Sequence, residues 1–258
     1  MARHPDLSGR SVFITGAARG LGRSMAETLA DCGAIIGVAD LVLAEAQVVA
    51  DHIRSRGGEA HAFTVDVAVR RLYMAAAATF AAQCGRIDAV INNAMLLKYE
   101  PVDQISEETL TRMTAIGING SVWGAQALLA HYDVQRGGCL INMASPVAEK
   151  GFPNTAAYSA VKGAVVTLTK ALAAELGPRN VRVNALAPGS VPTPGALGLN
   201  DKSEYERRTR TIPLRRLGRE EDNAEACAFL LSDAASFING EILHVDGGIA
   251  AAGWREAT

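Results

Sequence analysis

Short β-rich runs alternate with amphipathic helical runs along nearly the whole chain, and this alternation restricts the fold more than any single motif. Ser11–Thr15 leads directly into a glycine-punctuated turn, Gly16-Ala-Ala-Arg-Gly-Leu-Gly22, and then a helical pattern from Ser24 to Cys32. Ala34–Ala39 is a second apolar strand closed by Asp40, followed by a helix over about Val42 to Arg56. Glu59 to Val65 is a third strand with Asp66 at its end, then a helix from about Ala68 to Cys84, and a fourth strand, Ile87–Ile91, ending in Asn92-Asn93. The second half keeps the same pace. A helix from about Ser106 to His131 precedes the strand Gly138–Ala144, a long Ala-rich helix runs from about Thr155 to Leu176, and Val181–Ala187 is a strand stopped by Pro188-Gly189. Residues 190–212 are polar and only weakly helical. A helix from about Glu220 to Leu231 and a strand from about Glu241 to Val245 complete the pattern. Strands that feed helices in this way predict βαβ units, and hence an α/β protein with a doubly wound, seven-stranded parallel sheet and helices on both faces. No repeat, low-complexity tract or linker interrupts residues 1–258, which read as a single domain.

Composition removes several classes of function. A formal net charge of -2 gives no electrostatic case for nucleic acid or an anionic membrane surface. Cys32, Cys84, Cys139 and Cys227 lack metal or disulfide-framework spacing and read as buried thiols of a reducing cytoplasm. The five histidines show no ligand spacing, so no metal is expected. Residues 1–6 carry no apolar signal core, and no run approaches the ~18 apolar residues of a spanning helix.

Between a strand and a helix, Gly16, Gly20 and Gly22 let backbone N–H groups approach a pyrophosphate at the helix N-terminus. Without a ligand the same glycines would make only a tight turn. Asp40, at the tip of the second strand, is placed to accept hydrogen bonds from an adenosine ribose and to repel a 2′-phosphate. Leu41 after it adds no positive charge, whereas Arg19 in the glycine turn is the residue that would favour the phosphate. NAD is therefore expected over NADP. Asn93 and Ala94 follow a buried strand on the carboxyl edge of the sheet, where open α/β proteins bind ligands. On the long helix, Tyr158 and Lys162 are four residues apart and share a face. A cation beside a phenol favours phenolate and lowers its pKa towards the working pH, as a general acid/base requires. Ser145, thirteen residues earlier at a strand end, offers a hydroxyl to a substrate oxygen. Taken alone, Tyr-x-x-x-Lys also recurs on solvated helices. Asn119 is a poor mid-helix residue, and its neighbours Ile116, Ile118 and Val122 predict a buried amide with a task.

In order and in spacing, Thr15-Gly-x-x-x-Gly-x-Gly22, Asp66, Asn92-Asn-Ala94, Asn119, Ser145, Tyr158-x-x-x-Lys162 and Pro188-Gly189 together resemble the short-chain dehydrogenase/reductase family. The resemblance runs from about Leu7 to Gly248 and implies a Rossmann fold with an Asn119–Ser145–Tyr158–Lys162 tetrad. It implies that Tyr158 exchanges a proton with the substrate oxygen and that Ser145 orients that oxygen. Lys162 would lower the tyrosine pKa and bind the nicotinamide ribose, and Asn119 would hold a water. It further implies that Leu21 lies along the cofactor, that Asp66 and Val67 bracket the adenine, and that Val191 and Thr193 meet the carboxamide. A homotetramer built on the Tyr158 helix and the C-terminal strand is implied by the same likeness. Three departures stand out: Met95 where the family has glycine, Pro146 directly after the serine, and a short connection through residues 131–136.

The expected activity is NAD-dependent interconversion of a secondary alcohol and a ketone. The expected pocket walls are Met95, Leu96, Leu97, Pro146, Val147, Phe152, Leu197, Leu199 and Tyr205, with residues 190–212 as a lid. These side chains are mostly apolar, which predicts a ring-sized or larger apolar small-molecule substrate. Arg207, Arg208 and Arg210 are the competing signal, because an inward guanidinium would clamp an anion. The alternatives are an NADP-dependent 3-oxoacyl-(acyl-carrier-protein) reductase-like enzyme and a catalytically silent dinucleotide sensor. A sugar-nucleotide epimerase or dehydratase would need a larger C-terminal domain than 258 residues leave room for.

Overall fold

The computed structural model describes residues 5–195 and 202–252. Seven strands form one sheet: β1 (Ser11–Thr15), β2 (Ile35–Asp40), β3 (Glu59–Thr64), β4 (Ala89–Asn92), β5 (Gly138–Met143), β6 (Val181–Pro188) and β7 (Ile242–Val245). Their spatial order is β3-β2-β1-β4-β5-β6-β7, and every pairing is parallel. The chain winds outward to β3, returns, and winds the other way from β4. That reversal opens a crevice between the carboxyl ends of β1 and β4. The doubly wound architecture expected from the strand–helix alternation is the one observed.

Successive strand residues point to opposite faces, and this sorts the core into two layers. Val12, Ile14, Ile91 and Ile141 pack beneath α1 (Gly20–Asp31), α2 (Leu43–Ser55) and α8 (Glu220–Leu231). Phe13, Val90, Leu140 and Val183 pack beneath α3 (Arg70–Cys84), α5 (Gly120–His131) and α6 (Ala156–Leu176). On this second face Phe13 meets Phe63, Tyr73 and Phe80 at centroid distances of 5.6–6.0 Å. Gly37 makes room for the cluster, since a Cβ there would lie 2.7 Å from the Phe13 ring.

A buried polar chain ties the sheet to two helices. The Tyr73 hydroxyl donates to Asn92 Oδ1, Asn92 Nδ2 donates to Asn142 Oδ1, and Asn142 Nδ2 donates to Thr169 Oγ1, all within 3.0 Å. With these groups satisfied inside a low-dielectric core, the network fixes the level of β4 and β5 against α3 and α6.

The helical run after β4 is not uniformly α-helical. α4 (Glu107–Thr114) is capped by Ser106, whose hydroxyl accepts from Thr109 N, and Glu107 and Glu108 sit favourably in its first turn. A π turn occupies Ala115–Asn119, closed by the Gly120 N–H donating to the Ala115 carbonyl, and α5 begins after it. The single helical run expected over Ser106–His131 is thus present from Glu107 to His131, with its hydrogen-bond register shifted in the middle. Within residues 190–212, α7 (Lys202–Thr211) lies before α8.

Candidate active site

The glycine turn is built by close approach. Gly16 takes φ +63°, in the left-handed region that favours glycine. A Cβ on Gly22 would lie 2.1 Å from the Gly16 carbonyl oxygen and 2.5 Å from Asn93 Nδ2. Asn93 Nδ2 donates to the Thr15 and Gly16 carbonyls at 2.9 Å, while Thr15 Oγ1 accepts from the Asn93 and Ala94 N–H groups. Asn93 therefore pins the turn from the neighbouring strand. The first turn of α1 has no acidic residue, and Arg19 at its N-cap makes no side-chain cap. Its N–H groups remain available to an anion. The cradle closes around backbone and not side chains, and it fits a dinucleotide pyrophosphate.

A groove of about 380 Å³ runs from this turn along the sheet edge, lined by Gly16, Arg19, Gly20, Leu21, Asp40, Leu41, Asp66, Val67, Asn93, Ala94 and Thr193 among others. Asp40 is held by two backbone donors, Ala18 N at 3.0 Å and Leu41 N at 2.7 Å. Asp66 accepts from Ala68 N and from the Arg112 guanidinium at 2.9 Å. The residues expected to meet the pyrophosphate and adenosine lie here except Gly22, which is buried behind Gly16. Tyr158, Lys162, Pro188, Gly189 and Val191, also expected along the cofactor, do not line this groove. Val65, Arg112 and Ile116 are additional. They lie next to Asp66 or on the helix opposite it, and no motif marks them.

The groove continues into a cavity of about 170 Å³ that holds Ser145, Tyr158, Lys162, Pro188, Gly189, Val191 and Thr193. Leu21, Asn93, Met95, Leu97 and Thr193 line both spaces. Ser145 comes just after the last residues of β5, Tyr158 sits in the first turn of α6, and Lys162 lies one turn further. Lys162 is 4% exposed, and its Nζ donates to the Met143 carbonyl at 2.5 Å. Burial lowers its pKa from an ordinary 10.5 to about 8. Burial, reinforced by Tyr99, raises the Tyr158 hydroxyl well above its usual range, and a hydrogen bond with Ser145 opposes this only in part.

The expected depression of the Tyr158 pKa by Lys162 is therefore absent from the chain alone. The ammonium lies 5.5 Å from the centroid of the tyrosine ring and is turned to the Met143 carbonyl, so desolvation outweighs attraction. At neutral pH this leaves a protonated phenol beside a cationic lysine.

Several expected site residues lie elsewhere. Asn119 is exposed and does not line the cavity, contrary to the buried amide expected. The π turn inserts a residue and rotates the downstream side chains by about 100°, one helical position. Gly117 faces inward instead. A Cβ there would lie 2.3 Å from Val161 Cγ1 and 3.1 Å from Met95 Sδ, so the Met95 side chain floors the space beside this glycine. Pro146, Val147 and Phe152 do not wall the Tyr158 cavity either. Pro146 is buried at the start of a 3-10 turn, which carries the chain outward. Val147 and the exposed Phe152 then line a separate depression with Glu100–Asp103. Leu96 faces the dinucleotide groove. Met95, Leu97 and Tyr205 are in the cavity as expected, while Leu197 and Leu199 lie outside the described residues.

Tyr99 lines the cavity without having been expected there, and Ser190 and Arg208, both within the expected lid segment, line it too. For Arg208 a signal did exist. Tyr205 and the buried Ile212 lie three residues before and four after it, which puts all three on one helix face. Among the described residues, no helix is long and apolar enough to cross a membrane.

Residues 16–250 match a family model described as Enoyl-(Acyl carrier protein) reductase. The chain is 35% identical to cyclopentanol dehydrogenase of Comamonas testosteroni over 241 residues, covering 93% of this chain and 96% of that one. Its structure is similar to a gluconate 5-dehydrogenase from Burkholderia cenocepacia in complex with NADP and tartrate, with a TM-score of 0.91, 33% identity, and coverage of 96% of this chain and 98% of that one. It is also similar to 3-ketoacyl-(acyl-carrier-protein) reductase from Brucella melitensis complexed with NADH, with a TM-score of 0.88, 34% identity, and coverage of 95% and 100%. A doubly wound sheet, a glycine cradle and a Ser–Tyr–Lys cavity at its carboxyl edge agree with these likenesses, and the chain belongs to the short-chain dehydrogenase/reductase family, as an oxidoreductase acting on CH–OH groups.

Proposed function

We propose that the protein is an NAD-dependent dehydrogenase that interconverts a secondary alcohol and its ketone, with Tyr158 as general acid/base. The observation that carries this reading is the convergence of Ser145, Tyr158 and Lys162 on one cavity that is continuous with the glycine-turn groove. The backbone around Gly16, Gly20 and Gly22 would hold the pyrophosphate, and Asp40 the adenosine ribose. Asp66 and Val67 would flank the adenine, and Pro188, Gly189, Val191 and Thr193 the nicotinamide end. A nicotinamide bound there supplies or accepts the hydride.

The chain's own residues handle the proton. In ketone reduction the Tyr158 phenol donates to the nascent alkoxide, while Ser145 holds that oxygen with a hydrogen bond. Lys162, cationic below about pH 8, stabilises the phenolate left behind. In alcohol oxidation the same groups run in reverse. Asn119 plays no part in this scheme, so the active set is a triad.

Preference for NAD is supported by Asp40. Its anchored carboxylate faces the groove, with the apolar Leu41 beside it, and disfavours a 2′-phosphate by like-charge repulsion. Arg19, exposed at the groove mouth, is the observation favouring the second reading, an NADP-dependent 3-oxoacyl-(acyl-carrier-protein) reductase-like enzyme. Met95, Leu97, Tyr99, Val191 and Tyr205 give the cavity an apolar part beside the polar Ser145, Lys162, Ser190 and Arg208, which supports a substrate with a ring-sized or larger apolar body over a polyol. Residues 190–212 would act as its lid, and the working unit would be a cytoplasmic homotetramer.

The test is a panel of cyclic, aryl and open-chain secondary alcohols and sugars, each with NAD and NADP, read by the absorbance of the reduced cofactor. Turnover of cyclic or aryl alcohols with NAD is expected. Faster reaction with NADP would favour the second reading, and no turnover of any alcohol would leave a silent dinucleotide binder.

A further inference from the structure

Three arginines lie close together on α7, and only one faces the cavity. Arg207 is exposed, with 64% of its side chain accessible, and holds both oxygens of Glu204 at 2.8 Å. Arg210 is also exposed. Arg208 is 27% exposed and shares an inward face with Tyr205 and the buried Ile212. Its Nε donates to Glu204 Oε1 at 2.7 Å, and its Nη1 reaches Ser190 Oγ at a long 3.4 Å. Glu204 thus answers two guanidinium groups with one carboxylate, leaving one positive charge uncompensated within this trio.

The cavity wall reinforces that excess. Among the described residues, its lining includes two cations, Lys162 and Arg208, and no aspartate or glutamate. Lys162 is committed to Tyr158 and the Met143 carbonyl, so Arg208 supplies positive charge at the α7 end. The field of Arg208 reaches Tyr99, where it opposes the rise that burial imposes on that hydroxyl. Tyr99 in turn stacks edge-on against Tyr158 at 5.7 Å, which links the arginine's surroundings to the reacting centre. A helix-surface ion pair alone would not need a guanidinium turned towards Ser190, and Arg207 already satisfies Glu204.

We infer that Arg208 is a specificity-determining residue that binds a carboxylate on the substrate, across the cavity from the carbon oxidised at Tyr158. The inference rests on the dehydrogenase reading above and adds one group to its substrate: an apolar, ring-sized body bearing the secondary alcohol and, further along, a carboxylate. The guanidinium offers a planar fork that matches a carboxylate, and Ser190 adds a hydroxyl beside it. The apolar walls between Arg208 and Tyr158 would hold the ring.

The experiment compares kcat/KM for 3- and 4-hydroxycyclohexanecarboxylate with that for 4-methylcyclohexanol, which is similar in size and neutral. The wild-type protein should prefer a carboxylate by about tenfold or more. In Arg208→Gln that ratio should fall close to one, mainly through KM, and in Arg208→Lys, which keeps charge without the fork, it should fall at least about threefold. Cyclohexanecarboxylate, which cannot react, should bind in the presence of NAD by calorimetry, and about tenfold more weakly in Arg208→Gln. That binding is read independently of turnover, and the Lys variant decides the matter if the Gln variant fails to fold. A wild-type ratio of one or less, a ratio that survives either substitution, or unchanged binding of cyclohexanecarboxylate would overturn the assignment. Turnover of neither alcohol would count against the dehydrogenase reading itself, whereas turnover without preference would count only against Arg208.

Discussion

Lys162 should destabilise the very protein whose chemistry it serves. Burial brings its pKa from 10.5 to about 8, and a fall of that size means that holding the ammonium inside the folded chain costs about 3 kcal/mol at neutral pH. Lys162→Met removes the charge and nearly preserves the volume. It also removes the hydrogen bond to the Met143 carbonyl, a charge-assisted bond whose net contribution is about 1.5–3 kcal/mol. The variant should therefore be at least as stable, with a gain of roughly 0–1.5 kcal/mol at pH 7, or up to roughly 6 °C in Tm for a chain of this size.

The pH dependence carries a definite sign. Above pH 10.5 the lysine is neutral in both folded and unfolded chains, and the charge penalty vanishes. As pH falls from 10.5 to 8 the unfolded chain takes up a proton that the folded chain refuses, so wild-type stability drops relative to the variant. Below about pH 8 the deficit is complete. The assay is urea unfolding monitored by circular dichroism, without dinucleotide, at fixed protomer concentration, from pH 7 to 10.5. A wild type more stable than Lys162→Met by over about 1 kcal/mol at pH 7 would refute the reasoning. So would a difference independent of pH across that window.

Replacing Asp40 with Ser and Leu41 with Arg should move cofactor preference towards NADP, as read from the ratio of kcat/KM values for the two cofactors. An unmodified protein that already prefers NADP would make Arg19 the dominant group. Gly117→Ala places a Cβ 2.3 Å from Val161 Cγ1, so the overpacking should exceed the helix propensity gained and lower stability by about 1–2 kcal/mol. Val161→Ala in the same chain should recover most of that loss, and additive effects in thermal melts would contradict the contact. Light scattering at micromolar concentration should find a tetramer, and a monomer would contradict the assembly reading.

The sheet was legible because its strands are buried on both faces and read as short apolar runs bounded by glycine, proline or a carboxylate. The glycine turn, Asp40, Asn93, Ser145, Tyr158 and Lys162 were legible for a related reason. Each sits at a strand end or on a helix face that the βα alternation already places. Asn119 was misplaced because a π turn leaves no compositional mark: the periodicity of residues 106–131 fits one helix, and a single inserted residue decides which side chain turns inward. Phe152 and Val147 were misassigned because a loop after a strand end has two sides, and the turn begun by Pro146 takes the outer one. Arg208 was hidden among like neighbours. Its orientation depends on the phase of α7, which the burial of Ile212 sets.

The central claim is that Tyr158 moves the proton in a cavity that binds the dinucleotide without its help. Its most direct test is Tyr158→Phe, assayed for turnover with the best alcohol of the panel and titrated with NADH by fluorescence. The substitution removes one hydroxyl and keeps the ring that packs against Tyr99 and Lys162. Loss of turnover by at least about a hundredfold, with NADH affinity within about threefold of wild type, is the predicted result. Turnover within tenfold of wild type would contradict the assignment of Tyr158 as the general acid/base.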